Sequence, residues 1–381
     1  MADLGEIVRG EFPEYVRSRF TTPHQRKAMY DIAGCRTISM GSVAVTCDQC
    51  HGEYRLYRSC RNRSCPSCQN EAQYTWVEAR CAEILPVEYL QVVFKVPPEL
   101  NVVAQYCPAP LYDAVIRAAG QAVIDVGWSE LQIQLGCNAH LQTWTQLLTF
   151  LVHVHCVVPC GGFSADTGEW QSFGPDALPA EALSRRFREL LRKNIRTAAR
   201  NGELDSLPET VSVENLLAQV IHRPWAVYSK PPFGGAEKLF EYLGRYTHRV
   251  AITNDRIDSY ENHQVIFRWR EQGKERADKR CTLEAQEFVG RFVRHVPPRG
   301  LVRIRSYGFL ANRNHKQNVE RARRLIGRAV QSQTRKPFQR RRLCPACARR
   351  DETMLHFVPG PSESPQFDLS VRPPPIEPFA A

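Results

Sequence analysis

Apolar residues along the chain fall into short runs and helical stripes, without the regular strand–helix–strand alternation of a parallel sheet. Residues 9–34 have a polar, helix-like pattern that ends near Cys35, and a short β-like run, EYRLYRSC, follows. A helix is predicted over Glu71–Glu83, then a strand over Tyr89–Val96 that Pro97-Pro98 terminates. An amphipathic helix over Leu111–Val126 precedes a strand over Leu141–Leu147. The next stretch, LLTFLVHVHCVVPCGG from Leu147 to Gly162, is rich in Val, Leu and Phe and stops at Pro159 and a Gly pair, so it reads as a buried strand ending in a turn. Leu178–Asn201 is helical with a basic face, and Ala226–Lys230 is strand-like. PPFGG then breaks the chain before a further helix, AEKLFEYLGRYTHR. Strand-like segments at Val250–Ile257, Gln264–Arg270 and Leu301–Ser306 precede a helix-like Val319–Val330. This mixture predicts an α+β fold built on a largely antiparallel sheet.

Two histidines interrupt the apolar run of the buried strand. Side chains alternate faces along a strand, so His153 and His155 project from one face on either side of Val154. HxH alone is weak evidence, because 11 histidines produce about 0.3 such matches by chance. YxxxY, at Tyr242 and Tyr246, is no stronger alone, but these two share a helical face, and Gly234-Gly235 leaves that helix's N-terminus open to a phosphate. Two neutral imidazoles and one oxygen ligand would hold a divalent ion with positions open for substrate. Gln146, seven residues before His153, is the candidate third ligand. Such an ion polarises a phosphodiester, and a tyrosine hydroxyl then attacks phosphorus. Ionising a tyrosine of pKa about 10 at neutral pH costs roughly 4 kcal/mol, which either proton transfer during attack or nearby cations such as Arg245, His248 and Arg249 would supply.

The 14 cysteines include three CxxC pairs: Cys47–Cys50, Cys65–Cys68 and Cys344–Cys347. The first two are spaced like the knuckles of a zinc ribbon, which predicts one Zn²⁺ site at Cys47, Cys50, Cys65 and Cys68. Cys35 and Cys60, with His24 or His51, are candidates for a second. So small a module needs the roughly 10–16 kcal/mol that zinc contributes to folding.

Charge is concentrated late in the chain. Of the net +11, the segment Arg299–Arg342 carries +13, from 14 Lys/Arg against Glu320, which leaves the remainder near −2. A basic segment containing Tyr307 and Phe309 fits nucleic-acid phosphates. Expected DNA contacts are Arg61, Arg63, Lys230, Arg245, Arg249, Arg303, Arg305 and Arg313. No apolar run approaches the roughly 18 residues of a membrane span, and MADLGEIVRG is unlike a signal peptide, so an intracellular protein is expected. A GxxxxGK[ST] phosphate loop is absent.

With HVHCVVPCGG, YLGRYTHRVAI and CRNRSCPSC, and with YLQVVFKVPPELN, KPPFGGAEKLFEYLGRYTHR and RFVRHVPPRGLVRIRSYGFLANR in the same order, the chain resembles rolling-circle transposases of the insertion sequence ninety-one type. These are two-tyrosine members of the His-hydrophobic-His (HUH) endonucleases. The resemblance runs from about Cys35 to Cys347. It implies an HUH-endonuclease-like antiparallel sheet with flanking helices, preceded by a small zinc-ribbon-like domain. It implies Mg²⁺ or Mn²⁺ at His153 and His155 and nucleophiles at Tyr242 and Tyr246. It further implies cleavage and transfer of single-stranded DNA at element ends and target, with unwinding left to host helicase and replication proteins; it sets no oligomeric state. The chain departs from the family at Ser64 and Leu151, where histidines are common. The expected organisation is a zinc-binding DNA-recognition domain at 1–85, a catalytic domain at 86–298, a basic DNA-contact region with CxxC at 299–350, and a Pro-rich, disordered tail at 351–381. Other readings are a replication initiator or relaxase of the same superfamily, or a zinc-dependent DNA-binding protein without catalysis.

Overall fold

In a computed structural model, the polar N-terminal stretch forms two helices, α1 (Leu4–Ser18) and α2 (Pro23–Gly34). The structure describes residues 2–47, 50–221, 225–230, 237–241, 244, 251–270, 278–327, 347 and 355–358. The break between α1 and α2 is local chemistry. Thr22 and Gln25 form a reciprocal capping box and Pro23 occupies the first turn, so a new helix starts where one continuous helix was expected.

Strands β1 (Ser42–Thr46) and β2 (Glu53–Tyr57) pair as a hairpin, followed by α3 (Asn70–Ala82) and β3 (Tyr89–Lys95). Then come α4 (Asn101–Tyr106), the long α5 (Pro108–Leu131), the short β4 (Ile133–Gln134), β5 (Gly136–Trp144) and β6 (Phe150–Pro159). The chain continues through β7 (Gly161–Ser164), β8 (Trp170–Ser172), α6 (Ala180–Arg200), α7 (Val213–Ile221) and β9 (Val227–Lys230). Residues 237–241 are helical. The last third contains β10 (Ile257–Glu261), β11 (Gln264–Trp269), β12 (Lys279–Glu284), α8 (Ala285–Arg294), β13 (Ile304–Gly308), α9 (His315–Ile326) and β14 (Leu355–Val358).

The main sheet has the order β13–β5–β6–β3–β9, and every neighbouring pair is antiparallel. One face presents Leu90, Val92 and Phe94 of β3, Val152, Val154 and Cys156 of β6, and Cys137, Ala139 and Leu141 of β5. This face packs on α5 and α6 in a single buried cluster. The opposite face is polar where the registered pairs His140–His155 and Gln142–His153 stand. Burying β6 on both faces explains its near-continuous apolar run, with the histidines as the interruption.

A second core joins distant parts of the chain. Leu4, Ile7 and Phe12 of α1 and Met29 and Ile32 of α2 share a cluster with Val265, Phe267, Phe288, Val289 and Phe292 from the β10–β11–β12 sheet and α8. Glu11, 1% exposed, sits at this junction and accepts hydrogen bonds from Tyr260 Oη (2.6 Å), His263 Nδ1 (2.7 Å) and Gln286 Nε2 (2.8 Å). Its carboxyl is held below the usual range: burial pushes it up, but the bonds from Tyr260, His263 and Gln286 outweigh that.

Several predicted elements shift. Of the strand expected at Val250–Ile257, Val250 lies outside the described residues, and from Ala251 on only Ile257 is in a strand, since Asn254–Arg256 is a 3₁₀ turn. β5 begins at Gly136, earlier than the pattern suggested. β12 and α8 lie where no element was assigned. Residues 355–358, assigned to the tail, form β14, which pairs with β1 to make the order β14–β1–β2. The run LHFV is too short for periodicity to reveal as a strand.

Candidate active site and metal centres

The polar face of the main sheet gathers a compact set of side chains. His153 Nε2 lies 3.2 Å from Gln142 Oε1, and His153 Nδ1 lies 2.8 Å from the Leu151 carbonyl. His155 Nδ1 lies 2.8 Å from Gln91 Nε2, and the His153 and His155 rings meet edge-on at 5.0 Å. His140, directly opposite His155 in register, is 2% exposed and meets the Trp76 ring edge-on at 5.3 Å. Burial lowers the pKa of His153 to about 4. His155 is lowered well below its ordinary value, first by burial and then by His153 and His140. Both imidazoles are therefore neutral at pH 7, the form that ligates a metal. Lys95 stands opposite His153 in register, with its Nζ 4.9 Å from the Tyr228 ring centroid.

Gln146 does not join this group. It lies in the β5–β6 turn, where its carbonyl accepts from Arg256 (2.6 Å), and it lines a cavity of ≈ 350 Å³ with Arg256, Arg268 and Trp269. The hairpin folds back tightly, so the residues that come opposite the histidines are 140 and 142. Alternation along β5 is the sequence signal for His140 and Gln142.

The helical residues 237–241 lie over the histidine-bearing face. Leu239 and Phe240 share a buried cluster with Tyr89 and Val157, and Phe240 meets the Trp76 ring at 6.2 Å and the Tyr89 ring at 6.4 Å. Gly244 is pressed so close to α3 that a Cβ there would meet Val77 at 2.3 Å. Tyr242, Tyr246, Arg245 and Arg249 lie outside the described residues.

The cysteines are sorted into two groups. The sulfurs of Cys35, Cys60, Cys65 and Cys68 all lie within 4.8 Å of one another. Cys35–Cys68 is 3.3 Å and Cys60–Cys68 is 3.5 Å, near the roughly 3.8 Å edge of a tetrahedral thiolate site with Zn–S of about 2.3 Å. Cys47 and Cys50 group instead with Cys347. The single ribbon site expected at Cys47, Cys50, Cys65 and Cys68 is thus split: Cys65 and Cys68 are completed by Cys35 and Cys60, the pair expected to form a separate site. His24 is drawn elsewhere, with Nε2 2.9 Å from the Pro297 carbonyl. Crowded thiols polarise one another, and hydrogen bonding from Cys60 holds Cys35 down to about 7. Asn62 links the group to α2, its Nδ2 donating to Asp31 (2.8 Å).

The expected DNA-contact residues divide by environment. Arg63 donates to the carbonyls of Leu301 (2.7 Å) and Pro298 (2.6 Å), and Arg305 pairs with Asp113 (2.6 Å). Arg303 is lowered to about 10 by burial and by neighbouring Arg63. These three are committed inside the fold. Arg61, Lys230 and Arg313 are exposed. Part of the late basic segment is also structural: Arg321 donates to the Gly168 carbonyl (2.6 Å), and Arg323 to the Ala82 and Ile84 carbonyls (2.5 and 3.2 Å). No described helix is long and apolar enough to cross a membrane.

Comparison with known proteins now defines the class. The family model "Putative transposase" matches residues 136–318, which include the histidine-bearing strand, and "Transposase zinc-binding domain" matches residues 7–96, which include the Cys35 group. "Putative transposase y4qJ" of Sinorhizobium fredii is 36% identical over 388 aligned residues, covering 96% of this chain and 97% of that one. "Transposase for insertion sequence element IS801" of Pseudomonas savastanoi pv. phaseolicola is 26% identical, covering 73% of this chain and 68% of that one. The chain belongs to the insertion sequence ninety-one family of transposases. Among solved structures, the conjugative relaxase TrwC in complex with OriT DNA is similar over 42% of this chain and 72% of its own, at 13% identity and a TM-score of 0.24.

Proposed function

We propose that this transposase cleaves and rejoins single-stranded DNA at the ends of its element by transesterification onto tyrosine. The observation that carries the reading is the shared face: neutral His153 and His155, flanked by His140 and Gln142, with the helical residues 237–241 laid over them. The chain runs from those residues directly into Tyr242, and Tyr246 follows one helical turn later in sequence. In this reading the hydroxyl oxygen of one tyrosine attacks phosphorus and the bond from phosphorus to the 3′ oxygen breaks. The released 3′ oxygen takes up a proton, leaving a 5′-phosphotyrosine and a free 3′-hydroxyl. Strand transfer is the reverse step with a different 3′-hydroxyl as nucleophile. A second tyrosine allows a second cleavage while the first DNA end stays attached.

Mg²⁺ or Mn²⁺ would be held by His153 and His155, with His140 or Gln142 in place of the expected Gln146, and would supply charge neutralisation on the phosphate oxygens. Burial keeps the imidazoles unprotonated, and Gln91 fixes the ring of His155 from its other side. Lys95 and Lys230 on the same face, with Arg245 and Arg249, would steer phosphates towards the site. Arg61 and Arg313 would extend the contact. Zn²⁺ fits Cys35, Cys60, Cys65 and Cys68, four thiols at tetrahedral spacing.

The test is incubation with single-stranded oligonucleotides from the element ends and Mg²⁺ or Mn²⁺. A covalent protein–DNA adduct is expected, lost in the double variant Tyr242→Phe/Tyr246→Phe. An adduct that persists in the double variant would reassign the nucleophile, and absence of any adduct would leave a zinc-dependent DNA-binding protein without catalysis.

A further inference from the structure

We propose that Cys47, Cys50 and Cys347 form a second zinc site, which closes a ribbon assembled from the two ends of the fold. Their three sulfurs lie within 4.8 Å of one another, and Cys47 Sγ and Cys347 Sγ are 3.7 Å apart although 300 residues separate them. That spacing matches the roughly 3.8 Å edge of a tetrahedral thiolate site. The backbone supports it independently. Cys47 directly follows β1, and the turn to β2 is closed by His51 N–H to the Cys47 carbonyl (2.8 Å) and Cys47 N–H to the Gly52 carbonyl (3.0 Å). His51 takes a left-handed φ of 53° to make that turn. On the other side of β1, β14 pairs through four registered positions, Ser42–Val358 to Val45–Leu355. A three-stranded sheet of this size buries too little apolar surface to hold itself together, and a structural metal is the usual remedy. The three sulfurs supply three of the four thiolates of such a site.

The zinc-binding family model ends at residue 96, so Cys347 lies beyond it. The site also differs in kind from the Cys35 group. In that group Cys65 is buried and Cys35, Cys60 and Cys68 pack against the second core, whereas Cys50 is exposed. We therefore infer that this outer zinc is the first to be lost to a chelator. Losing it loosens β14 from the N-terminal hairpin while leaving the main sheet intact.

Zinc is counted by elemental analysis of the full-length chain purified without added metal. Two ions per chain are expected, falling to one in Cys347→Ser and to one in Cys65→Ser, with Cys281→Ser unchanged at two. Differential alkylation of the wild-type chain supplies a readout that does not depend on a variant folding. Cys47 and Cys347 should be protected together and become labelled together at a chelator concentration that still protects Cys65. One ion in the wild type with none lost in Cys347→Ser, or labelling of Cys347 while Cys47 stays protected, overturns the proposal. Loss of the DNA adduct has no bearing on either count, so the two readings fail separately.

Discussion

His140 and His155 stand directly opposite each other on adjacent antiparallel strands, one same-face pair along from Gln142 and His153. This register converts two histidines of one strand into a four-residue cluster. His153→Ala or His155→Ala should therefore reduce Mn²⁺ affinity and lower cleavage by at least about 10²-fold, while single-stranded DNA binding stays within about threefold. Fluorescence anisotropy and adduct formation measure the two separately. Equal loss of both would mark the histidines as structural.

In the proposed metal site, His140 and Gln142 are the two candidates for the third ligand. Whichever supplies it should cost the larger share of Mn²⁺ affinity when changed to Ala; the other, acting through hydrogen bonds, should cost roughly 10–100-fold or less. Gln146→Ala, in the hairpin turn, should leave affinity unchanged. Calorimetric titration of the three variants orders them.

Acid should loosen the sheet before it protonates most carboxylates. His153 and His295 each have a folded pKa of about 4 because burial disfavours the cation, against about 6.5 unfolded. Between these values the unfolded chain binds the proton and the folded one does not, so stability falls as pH drops from about 6.5 to 4, by up to about 3 kcal/mol per group. His295 is wedged beside Phe150, with its Nε2 3.0 Å from the Leu148 carbonyl. His295→Phe should lower Tm at pH 7, through loss of that bond, and flatten its fall towards pH 4.5. Thermal melts across this range, without divalent ions, check both signs.

Glu11 should act as the fastener of the N-terminal helices. Glu11→Ala removes the shared acceptor of Tyr260, His263 and Gln286, at a cost of about 1–3 kcal/mol carried by Tyr260 and Gln286, since His263 is exposed. Urea unfolding measures it. A change below about 0.5 kcal/mol would show that solvent replaces the carboxylate.

Gly120→Ala should destabilise, although alanine favours helices by about 1 kcal/mol. A Cβ at 120 would come within 2.2 Å of the Tyr307 ring, whose hydroxyl donates to the Ile116 carbonyl (3.0 Å). Tyr307→Leu in the Gly120→Ala background should recover part of the loss, a coupling that a double-mutant cycle detects.

The histidine pair was legible because an apolar strand makes a polar side chain conspicuous. His140 was not, since its role depends on a register that only hairpin closure sets. The helices α5 and α6 were legible from periodicity, whereas β12 and α8, in KRCTLEAQEFVGRFVR, run together with no glycine or proline to mark the boundary. The cysteines illustrate the same limit from another side. Cys65 and Cys68 look like partners of Cys47 and Cys50 by spacing, but α2 delivers Cys35 to them and the β14 pairing draws the other pair away. Likewise, Arg63 and Arg305 look like phosphate ligands in a list of basic residues, and become internal struts once their carbonyl and carboxylate partners are in place.

The β14–β1 pairing also sets a timetable for making the protein. Cys347 follows Cys47 by 300 residues, so at roughly 5–20 residues per second about 15–60 s of translation separates them. Throughout that interval β1 has an open edge, the kind of strand that pairs with whatever neighbour is available. A product cut short after α9 would keep every candidate catalytic side chain and retain that open edge permanently. Prematurely terminated copies should therefore collect in aggregates, leaving full-length chains as the source of transposition.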